Sequence, residues 1–345
     1  MRRILISVVL ASLTACAGTH ASVAGATTSS SSATGLLSWV TLEHVKNVVD
    51  LAWPGAGGVI TVAANGLLWH LSPSGTLSPF AQGPGGYKTA LGPEPYIALV
   101  PATQPAADKC PFVPDSVFAL MTGKQPGVVT VDGSGHVRAF TKLPTGETPN
   151  GIALDEVGHF GYRLLVSARL PKSVTIFAID CKGVVSTVAS SLPLVEGGIV
   201  VAPPSFGKVG GDLIAPSELT GDVYEIDPHG HAAVLVPSGL PHGADIGVES
   251  AGFVPPGFQN GSGAYVSDRV SPKNPHPGTD SVLLLTGAAL LAAGVRPGDL
   301  IVVSEGAAET IVVHCATSCT ARHIANGYPI SHGEGHVVFT SPAIK

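Results

Sequence analysis

The amino-acid sequence predicts an all-β protein, a β-propeller of about six four-stranded blades, and three observations support this. Short apolar runs alternate with turn-forming residues along most of the chain, which contains 43 glycines and 29 prolines. Only 12% of the residues are charged, and no apolar run after residue 13 is long enough to span a membrane. A polar residue also recurs at steps of 56, 46, 46 and 92 residues, at Glu94, Asn150, Glu196, His242 and Glu334. Repeats of this length with four short strands per unit are typical of propeller blades.

The first 15 residues are predicted to be an export signal rather than part of the fold. Two arginines precede a short apolar segment, residues 4–13, which is too short to cross a membrane as a helix. The sequence LTAC at residues 13–16 then matches a bacterial lipobox, which predicts lipid attachment at Cys16. An ordinary secretory signal, cleaved near residues 15–17 or 24–26, is the alternative. Both interpretations predict export to the cell envelope or beyond it.

A flexible tether is predicted to follow the signal. Residues 16–35 are almost all Ala, Ser, Thr and Gly, a composition that cannot bury a core. Residues 36–345 are predicted to form a single propeller domain. Removal of the signal lowers the number of Lys and Arg from 18 to 16 against 24 Asp and Glu, so the net charge changes from −6 to −8. Without a basic stripe, the chain is not expected to bind nucleic acid, and the lipid is its only expected contact with a membrane.

Four blades can be assigned in the first part of the domain, because turn sequences such as Asn65-Gly66 separate runs of strand length. The predicted strands are 48–53, 59–63, 67–71 and 76–80 in the first blade, 96–100, 116–120, 128–131 and 136–140 in the second, 152–154, 164–168, 174–179 and 184–188 in the third, and 199–202, 212–215, 223–226 and 232–236 in the fourth.

The spacing is less regular in the last third of the chain. The fifth blade is predicted to begin at His242 and to continue through strands 264–267 and 282–285. Residues 287–295 are rich in Ala and Leu and are predicted to form a short helix. Further strands are expected at 300–303, 311–314, 320–324 and 337–340. Because a closed propeller brings both chain ends into one blade, residues 36–42 or the last strand are expected to complete the ring. Five or seven blades remain open as alternatives.

The cysteines other than Cys16 are four in number, and an even number favours disulfide bonds in an exported chain. Cys315 and Cys319 are close enough to close a small loop between two strands. Cys110 and Cys181 are then left to pair with each other between adjacent blades. Four cysteines allow three pairings, and the other two stay open. A further interpretation is a metal site whose ligands are Cys315, Cys319 and nearby histidines.

The recurring polar residues form the candidate site. Innermost strands of propeller blades surround one channel, so residues at their first positions lie close together although they are far apart in sequence. We expect the following residues to meet at the channel mouth: Glu94, Asn150, Glu196, His242 or Asp245, and Glu334. Carboxylate and amide oxygens around a water-filled opening suit a hard divalent cation such as Ca²⁺ or Mg²⁺. The alternative is that these groups cap backbone amides at the strand starts or face solvent.

The segment PNGIALD at residues 149–155 resembles the gluconolactonase and regucalcin-like (senescence marker protein) propellers. The likeness in blade pattern extends over residues 45–270. Those calcium-dependent lactonases hold their metal with the glutamate of a Glu-Gly pair, the asparagine of an Asn-Gly pair, and the aspartate of an Asp-Gly pair one blade later. The resemblance implies that Asn150 is a ligand, and that Glu334 is another if its strand lies beside the first blade. Glu196 stands where the family has the aspartate, and Glu94 is followed by proline, which departs from the pattern.

The sequence HGEGH at residues 332–336 places an acid between two histidines at alternate positions, and such positions share one face of a strand. This is similar to the streptogramin (virginiamycin B) lyases, which are propellers that use a Glu-x-His pair, a further histidine and magnesium. The similarity implies that Glu334 and its two flanking histidines face one metal or one substrate. The alternative is a polar, flexible approach to the closing strand.

Two functions are therefore expected from the sequence. One is an exported, lipid-anchored propeller that hydrolyses a small sugar-like lactone or ester with a divalent cation. Glu196 and Glu334 are then the catalytic carboxylates, and water is the nucleophile. The other is a non-catalytic envelope propeller that binds a carbohydrate, a peptide or a partner protein. The fold does not decide between them, because propellers host both kinds of function.

Overall fold

The fold is taken from a computed structural model, which describes residues 35–53, 59–89, 94–102, 104, 111–243 and 245–341. The predicted signal and its lipidation site Cys16 lie outside the described residues, as do most of the tether and Cys110. Within the described ranges, no helix is both long enough and apolar enough to cross a membrane.

Two short strands come first along the chain, β1 (Leu37–Ser38) and β2 (Val40–His44). Four separate antiparallel sheets of four strands follow, and we call them blades 1 to 4. Their strands are β3 (Val48–Ala52), β4 (Ile60–Ala64), β5 (Leu67–Leu71) and β6 (Leu77–Phe80); β7 (Ile97–Leu99), β8 (Val117–Met121), β9 (Gly127–Val131) and β10 (Val137–Lys142); β11 (Thr148–Leu154), β12 (Leu164–Leu170), β13 (Ser173–Ile179) and β14 (Val185–Leu192); and β15 (Val200–Val201), β16 (Leu213–Pro216), β17 (Asp222–Ile226) and β18 (Ala232–Pro237). A single 3₁₀ turn, Gly207–Val209, lies within blade 4.

The rest of the chain contributes to one nine-stranded sheet with the order β1-β24-β23-β22-β19-β25-β20-β21-β2. This order contains two further four-stranded arrays, which meet where Ala251 pairs with His336. Blade 5 consists of β19, β22, β23 and β24, with β1 added in parallel at its edge, and blade 6 consists of β25, β20, β21 and β2. The elements are β19 (Val248–Phe253), β20 (Gly263–Asp268), β21 (Ser281–Thr286), α1 (Gly287–Ala292), β22 (Leu300–Ser304), β23 (Thr310–Cys315), β24 (Cys319–Asn326) and β25 (Gly333–Thr340).

The innermost strands form a closed ring. They contact one another in the order β3, β7, β11, β15, β19 and β25, and β25 contacts β3 again. The C-terminal strand β25 is innermost in blade 6, while the N-terminal strand β2 pairs with β21 at the outer edge of the same blade. Both chain ends therefore close the ring, as the sequence predicted, and the predicted propeller is confirmed.

The prediction for the fifth blade was wrong in two respects. Its innermost strand begins at Val248 rather than at His242, because residues 241–243 lie in a loop against blade 4, where the amide of Gly243 donates to the carbonyl of Glu218 at 2.7 Å. The strands expected to continue this blade, β20 and β21, belong to blade 6. The chain crosses to blade 6 after β19 and returns through α1, the short helix that the sequence predicted.

The turns between the third and fourth strands repeat one local structure. In blades 2, 3 and 4 an aspartate carboxylate accepts backbone N–H groups two and four residues ahead, as Asp180 does from Lys182 and Val184 at 2.9 Å each. The glycine at the third position after each aspartate has a positive φ, for example +80° at Gly183, which other residues rarely adopt. These turns explain why the strand boundaries of blades 2 to 4 are readable from the sequence.

Apolar side chains between neighbouring blades form the core. Phe118 of blade 2 and Ile152 and Val166 of blade 3, for example, belong to one buried cluster. Fully burying a side chain of this kind stabilises a fold by about 1.5–3 kcal/mol, so the contacts between blades hold the ring together. Cys315 and Cys319 are joined by a disulfide bond across β23 and β24, as predicted. Cys181 is also disulfide-bonded, while its predicted partner lies outside the described residues.

Candidate metal centre at the channel mouth

Seven carboxylates gather at the end of the channel where the innermost strands begin. Four of them stand at or just before the start of an innermost strand, and three come from loops that follow second strands or precede β19. They lie close enough for their charges to interact with one another. We call this cluster the acidic mouth, and its members are Glu94, Glu196, Glu218, Asp245, Glu249, Glu305 and Glu334.

Glu334 is the most heavily bonded member of the acidic mouth. Its side chain is 1% exposed, and its Oε2 atom accepts from Nη1 of Arg269 at 2.9 Å. The same guanidinium pairs with Glu94. The hydroxyl of Tyr96 hydrogen-bonds to Oε1 of Glu334 and lies 2.6 Å from Oε1 of Glu249. A hydroxyl has a single proton, so it donates to one of these carboxyls and accepts from the other, which must then be protonated.

The pKa values of the carboxyls differ according to their partners. Burial and the charge of Glu334 raise the pKa of Glu249 far above its usual range. Burial alone would raise the pKa of Glu334 as well, but Arg269, together with hydrogen bonds to Glu249 and Tyr96 and the charge of His332, lowers it. Glu249 is therefore the protonated partner of Tyr96, and Glu334 is ionised. In the absence of a cation, protons relieve the repulsion inside the acidic mouth.

Burial also raises the pKa of Glu305, Glu196 and Glu94. The pKa of Glu305 rises to about 11, from burial and then from the charge of Glu334. Burial and Glu218 raise the pKa of Glu196 to about 8, and burial and Glu334 raise that of Glu94 to about 7. Seven carboxyls thus share two arginines, Arg169 and Arg269, in this part of the structure. The acidic mouth carries more potential negative charge than these two bases can neutralise.

Glu305, His332 and Glu334 form one group with the spacing of a metal site. One ligand atom from each residue lies within 4.8 Å of the other two. His332 Nε2 is 3.2 Å from Oε1 of Glu305 and 3.9 Å from Oε2 of Glu334. All three residues are buried, and the Oε2 atom of Glu305 and the Nδ1 atom of His332 have no hydrogen-bond partner. Buried polar atoms are normally paired, and a carboxylate oxygen and an imidazole nitrogen both ligate divalent cations, so this donor set fits a cation.

Asn150 and Glu196 also lie at the mouth and bind each other. Asn150 Nδ2 donates to Oε2 of Glu196 at 3.3 Å and to the carbonyl of Val195 at 3.0 Å, while its Oδ1 accepts from the hydroxyl of Ser167 at 2.9 Å. Arg169 Nη1 contacts both oxygens of Glu196 at 3.0 and 3.2 Å. These hydrogen bonds help to orient the carboxylate of Glu196, and the role of Asn150 as a metal ligand stays a prediction.

The structure brings the predicted site residues to one mouth but divides them between two groups. Glu94 and Glu334 share Arg269, whereas Asn150 and Glu196 lie together with Arg169. The condition that the resemblance set for Glu334 is met, because β25 contacts β3 of blade 1. In blade 5 the equivalent strand position holds Glu249, because β19 begins later than the spacing predicted. Asp245 reaches the mouth from the loop before β19, while His242 packs beside Gly221.

Sequence reasoning missed the side chains that second strands deliver to the mouth. Second strands run antiparallel to innermost strands, so their ends lie beside the starts of the innermost strands. A repeated signal was present, because a charged residue lies within two positions of the end of the second strand in four blades. These residues are Arg169, Glu218, Arg269 and Glu305.

A buried ion pair lies deeper in the channel. Asp50 of β3 is fully buried, and its carboxylate oxygens lie 2.9 and 3.0 Å from Nδ1 of His336. His336 Nε2 faces the carbonyl oxygens of Ile152 at 2.9 Å and Ile199 at 3.2 Å. Burial would lower the pKa of His336, but the Asp50 carboxylate and these carbonyls raise it, so the ring is held as an imidazolium. The pair connects innermost strands from several blades.

Beyond this pair, the opposite end of the channel holds an apolar cavity of about 340 Å³. His336 forms part of its wall. Its apolar lining includes Leu51, Ile97, Ile152, Ile199, Phe253 and Phe339. The channel therefore has two chemically different halves, an acidic mouth and an apolar cavity, with the ion pair near their boundary.

No known protein family and no curated protein matches this chain. Solved propeller structures do. A regucalcin from Agrobacterium tumefaciens, described as a calcium-binding protein, is 13% identical, with a TM-score of 0.46 over 85% of this chain and 79% of that one. Virginiamycin B lyase from Staphylococcus aureus is 14% identical, with a TM-score of 0.43 over 82% of this chain and 70% of that one. The soluble aldose sugar dehydrogenase of Escherichia coli is 11% identical, with a TM-score of 0.45 over 84% and 88%. Likeness at this level does not extend to substrates or to site residues.

Proposed function

We propose that this protein is a divalent-cation-dependent hydrolase that acts on a small sugar-like lactone or ester at the acidic mouth. The observation that carries the proposal is the group formed by Glu305, His332 and Glu334, three buried residues whose ligand atoms lie within 4.8 Å of one another. Hard cations such as Ca²⁺ and Mg²⁺ prefer carboxylate oxygens, and a single imidazole is compatible with them. Glu305 and Glu334, with His332, are the proposed ligands.

When bound, such a cation supplies Lewis-acid chemistry, which polarises a carbonyl and makes bound water a better nucleophile. The chain itself supplies the remaining groups. Glu196 is the proposed general base, because Arg169 and Asn150 hold its carboxylate at the same mouth, where 14% of the side chain remains exposed to solvent and substrate. Arg269 fixes Glu334 and Glu94 in place, so that the carboxylate of Glu334 is pre-oriented. Attack of water on the carbonyl carbon and cleavage of the acyl–oxygen bond yield a hydroxy acid from a lactone, or a carboxylic acid and an alcohol from an ester.

The hydrolase proposal is tested with a panel of sugar lactones and aryl esters and with protein stripped of metal. Hydrolysis is expected to appear on addition of Ca²⁺ or Mg²⁺ and to fall by about 10²–10⁴-fold in Glu196→Gln, which removes the general base. Glu334→Gln is expected to raise the metal concentration that activity requires. Glu43→Gln, on the outer strand β2, is the matched control and should behave as wild type. Activity that survives in Glu196→Gln, or that needs no metal, would contradict the assignment.

A non-catalytic binding function is the second candidate, and the apolar cavity at the far end of the channel favours it. The cavity has a volume of about 340 Å³, within the range of small-molecule sites, and its lining is mostly aliphatic and aromatic. Under this proposal a ligand would bind there without chemistry. A stabilising ligand that protects the wild type but not Ile152→Trp, together with no hydrolysis of any lactone or ester, would favour binding over catalysis.

Export and lipid anchoring at Cys16 are also part of the proposal. They are supported by the charged start of the chain, the short apolar segment and the LTAC sequence that ends at Cys16. The tether would then hold the propeller near the membrane surface. Mass spectrometry of the mature N-terminus is expected to show a diacylglyceryl group on this cysteine. An unmodified N-terminus further along the chain would contradict the anchor.

A further inference from the structure

A second group of acidic side chains lies beside the proposed cation site and shares one residue with it. Ligand atoms of Glu218, Asp245 and Glu305 lie within 4.8 Å of one another. Glu305 therefore belongs to both groups, with Glu334 and His332 in the first. The second group consists of three carboxylates and contains no histidine.

The backbone brings these three residues together through close contacts that only glycine permits. A Cβ atom on Gly247 would lie 1.9 Å from the carbonyl oxygen of Glu218, so the chain just after Asp245 packs directly on the backbone of Glu218. The amide of Glu305 donates to the carbonyl of Gly247 at 2.8 Å, and the amide of Gly306 donates to that of Ile246 at 3.0 Å. The loops after β16 and β22 and the loop before β19 thus form one hydrogen-bonded unit.

Asp245 is held in this unit from the other side as well. Its carbonyl accepts from Asn274 Nδ2 at 2.5 Å, and its φ of +64° is one that L-residues rarely adopt. These contacts hold the backbone of Asp245 so that its carboxylate lies near two other acids, although the residue is exposed. The clustering of these like charges is therefore built by the fold.

Glu305 is the residue that the two groups share. Its Oε1 atom lies 3.2 Å from His332 Nε2, on the side of the first group. The residue is only 5% exposed, and its Oε2 atom has no hydrogen-bond partner. A buried carboxylate that belongs to two adjacent sets of ligands and has one unpaired oxygen is suited to bridge two cations.

We propose that the acidic mouth binds two divalent cations, with Glu305 as the bridging carboxylate and with Glu218 and Asp245 as the additional ligands of the second cation. This inference rests on the proposed function, because the first cation is the one held by Glu305, His332 and Glu334. The second site has only oxygen donors and is therefore suited to a hard cation such as Ca²⁺, Mg²⁺ or Mn²⁺. A pair of cations can stabilise both the attacking and the leaving oxygen of a displacement reaction.

The test is a binding titration with Mn²⁺ on metal-stripped full-length mature protein, read by equilibrium dialysis and by electron paramagnetic resonance. Wild type is expected to bind two Mn²⁺ ions and to show the exchange-coupled signal of a bridged pair. Asp245→Asn should bind a single ion with an uncoupled six-line signal, and Glu305→Gln should lose both ions or bind them uncoupled. Glu43→Gln, on β2, is the matched control and should keep the coupled pair. Circular dichroism of each variant shows whether it is folded.

The outcomes separate this inference from the proposed function. A wild type that binds one Mn²⁺, and loses it in His332→Ala but not in Asp245→Asn, overturns the second site and leaves the first intact. Two ions that remain uncoupled in wild type, or a coupled pair that survives in Asp245→Asn, overturn the bridge. No binding at all overturns both proposals.

Discussion

Replacement of Asp50 by asparagine is expected to be among the most destabilising single changes in this domain. The Asp50 carboxylate accepts the backbone N–H groups of Leu51, Ile97 and His336 at 2.7–2.8 Å. It is also the counter-ion of the His336 ring. One side chain thus connects β3, β7 and β25, and its imidazolium partner extends the connection to Ile152 of β11 and to Ile199 just before β15.

The magnitude follows from the groups that the substitution leaves without partners. Asparagine keeps one carbonyl oxygen, so its NH₂ group faces a backbone donor and leaves that N–H unpaired, at a cost of about 1–3 kcal/mol. Removing one partner of a buried ion pair costs about 3–5 kcal/mol, because the other charge stays buried. The two effects together are expected to lower the free energy of unfolding by at least ~4 kcal/mol, which is a large part of the ~5–15 kcal/mol that stabilises a typical domain.

The assay is urea denaturation followed by circular dichroism, with the free energy of unfolding compared between variants. Asp222→Asn, at the partly exposed start of β17, is the matched control and should change stability by less than about 0.5 kcal/mol. The double variant Asp50→Asn/His336→Gln should be less destabilised than the sum of its single variants, because it no longer buries an unpaired charge. A loss below about 1 kcal/mol in Asp50→Asn would refute the argument that this pair ties the innermost strands together.

Two further predictions concern pH and the disulfide. The pKa values of Glu94 and Glu196, about 7 and about 8, lie above the ordinary 4.5, so the folded state favours their protonated forms. Metal-free protein should therefore lose stability as the pH rises from about 5 through about 8, and urea unfolding that shows rising stability over this range would be contrary evidence. Replacing Cys315 and Cys319 by serine opens a loop of five residues, and the loop-entropy model predicts a loss of about 2 kcal/mol in the free energy of unfolding. Equal melting temperatures for the wild type and the double variant would contradict this prediction.

The strands of blades 1 to 4 were predictable because local chemistry determines them. Turn residues such as Asn65-Gly66 and the Asp180–Gly183 turn stop each strand at a definite place, and the apolar runs between them have strand length. The recurrence of Glu94, Asn150 and Glu196 then indicated a repeated unit. Local signals of this kind need no knowledge of which strands pair.

The order of strands in blades 5 and 6 was not predictable from the same signals. The chain leaves β19, builds two strands of blade 6 and returns through α1, so sequence neighbours are not blade neighbours there. Pairing of β20 with β25 depends on contacts between residues far apart in sequence, which strand length and turn chemistry do not encode. For the same reason Glu249, rather than His242, takes the place at the mouth.

The candidate site was only half visible in the sequence. Residues at the starts of innermost strands, such as Glu196 and Glu334, could be found from their spacing. Glu305 could not be found in this way, because it follows a second strand and reaches the mouth only through antiparallel pairing. Asp50 was missed because it sits inside an apolar strand, where an aspartate has no turn or motif around it.

The central claim is that the acidic mouth is a cation site, and a thermal melt of metal-stripped protein titrated with Ca²⁺ or Mg²⁺ tests it most directly. A cation that binds only the folded state stabilises it by about 2.7 kcal/mol at a hundredfold excess over Kd, which corresponds to a rise in Tm of about 4 °C for a domain of this size. The rise should be lost in Glu305→Gln and retained in Glu43→Gln. A wild-type Tm that stays constant up to millimolar concentrations of both cations would contradict the cation site and the hydrolase built on it.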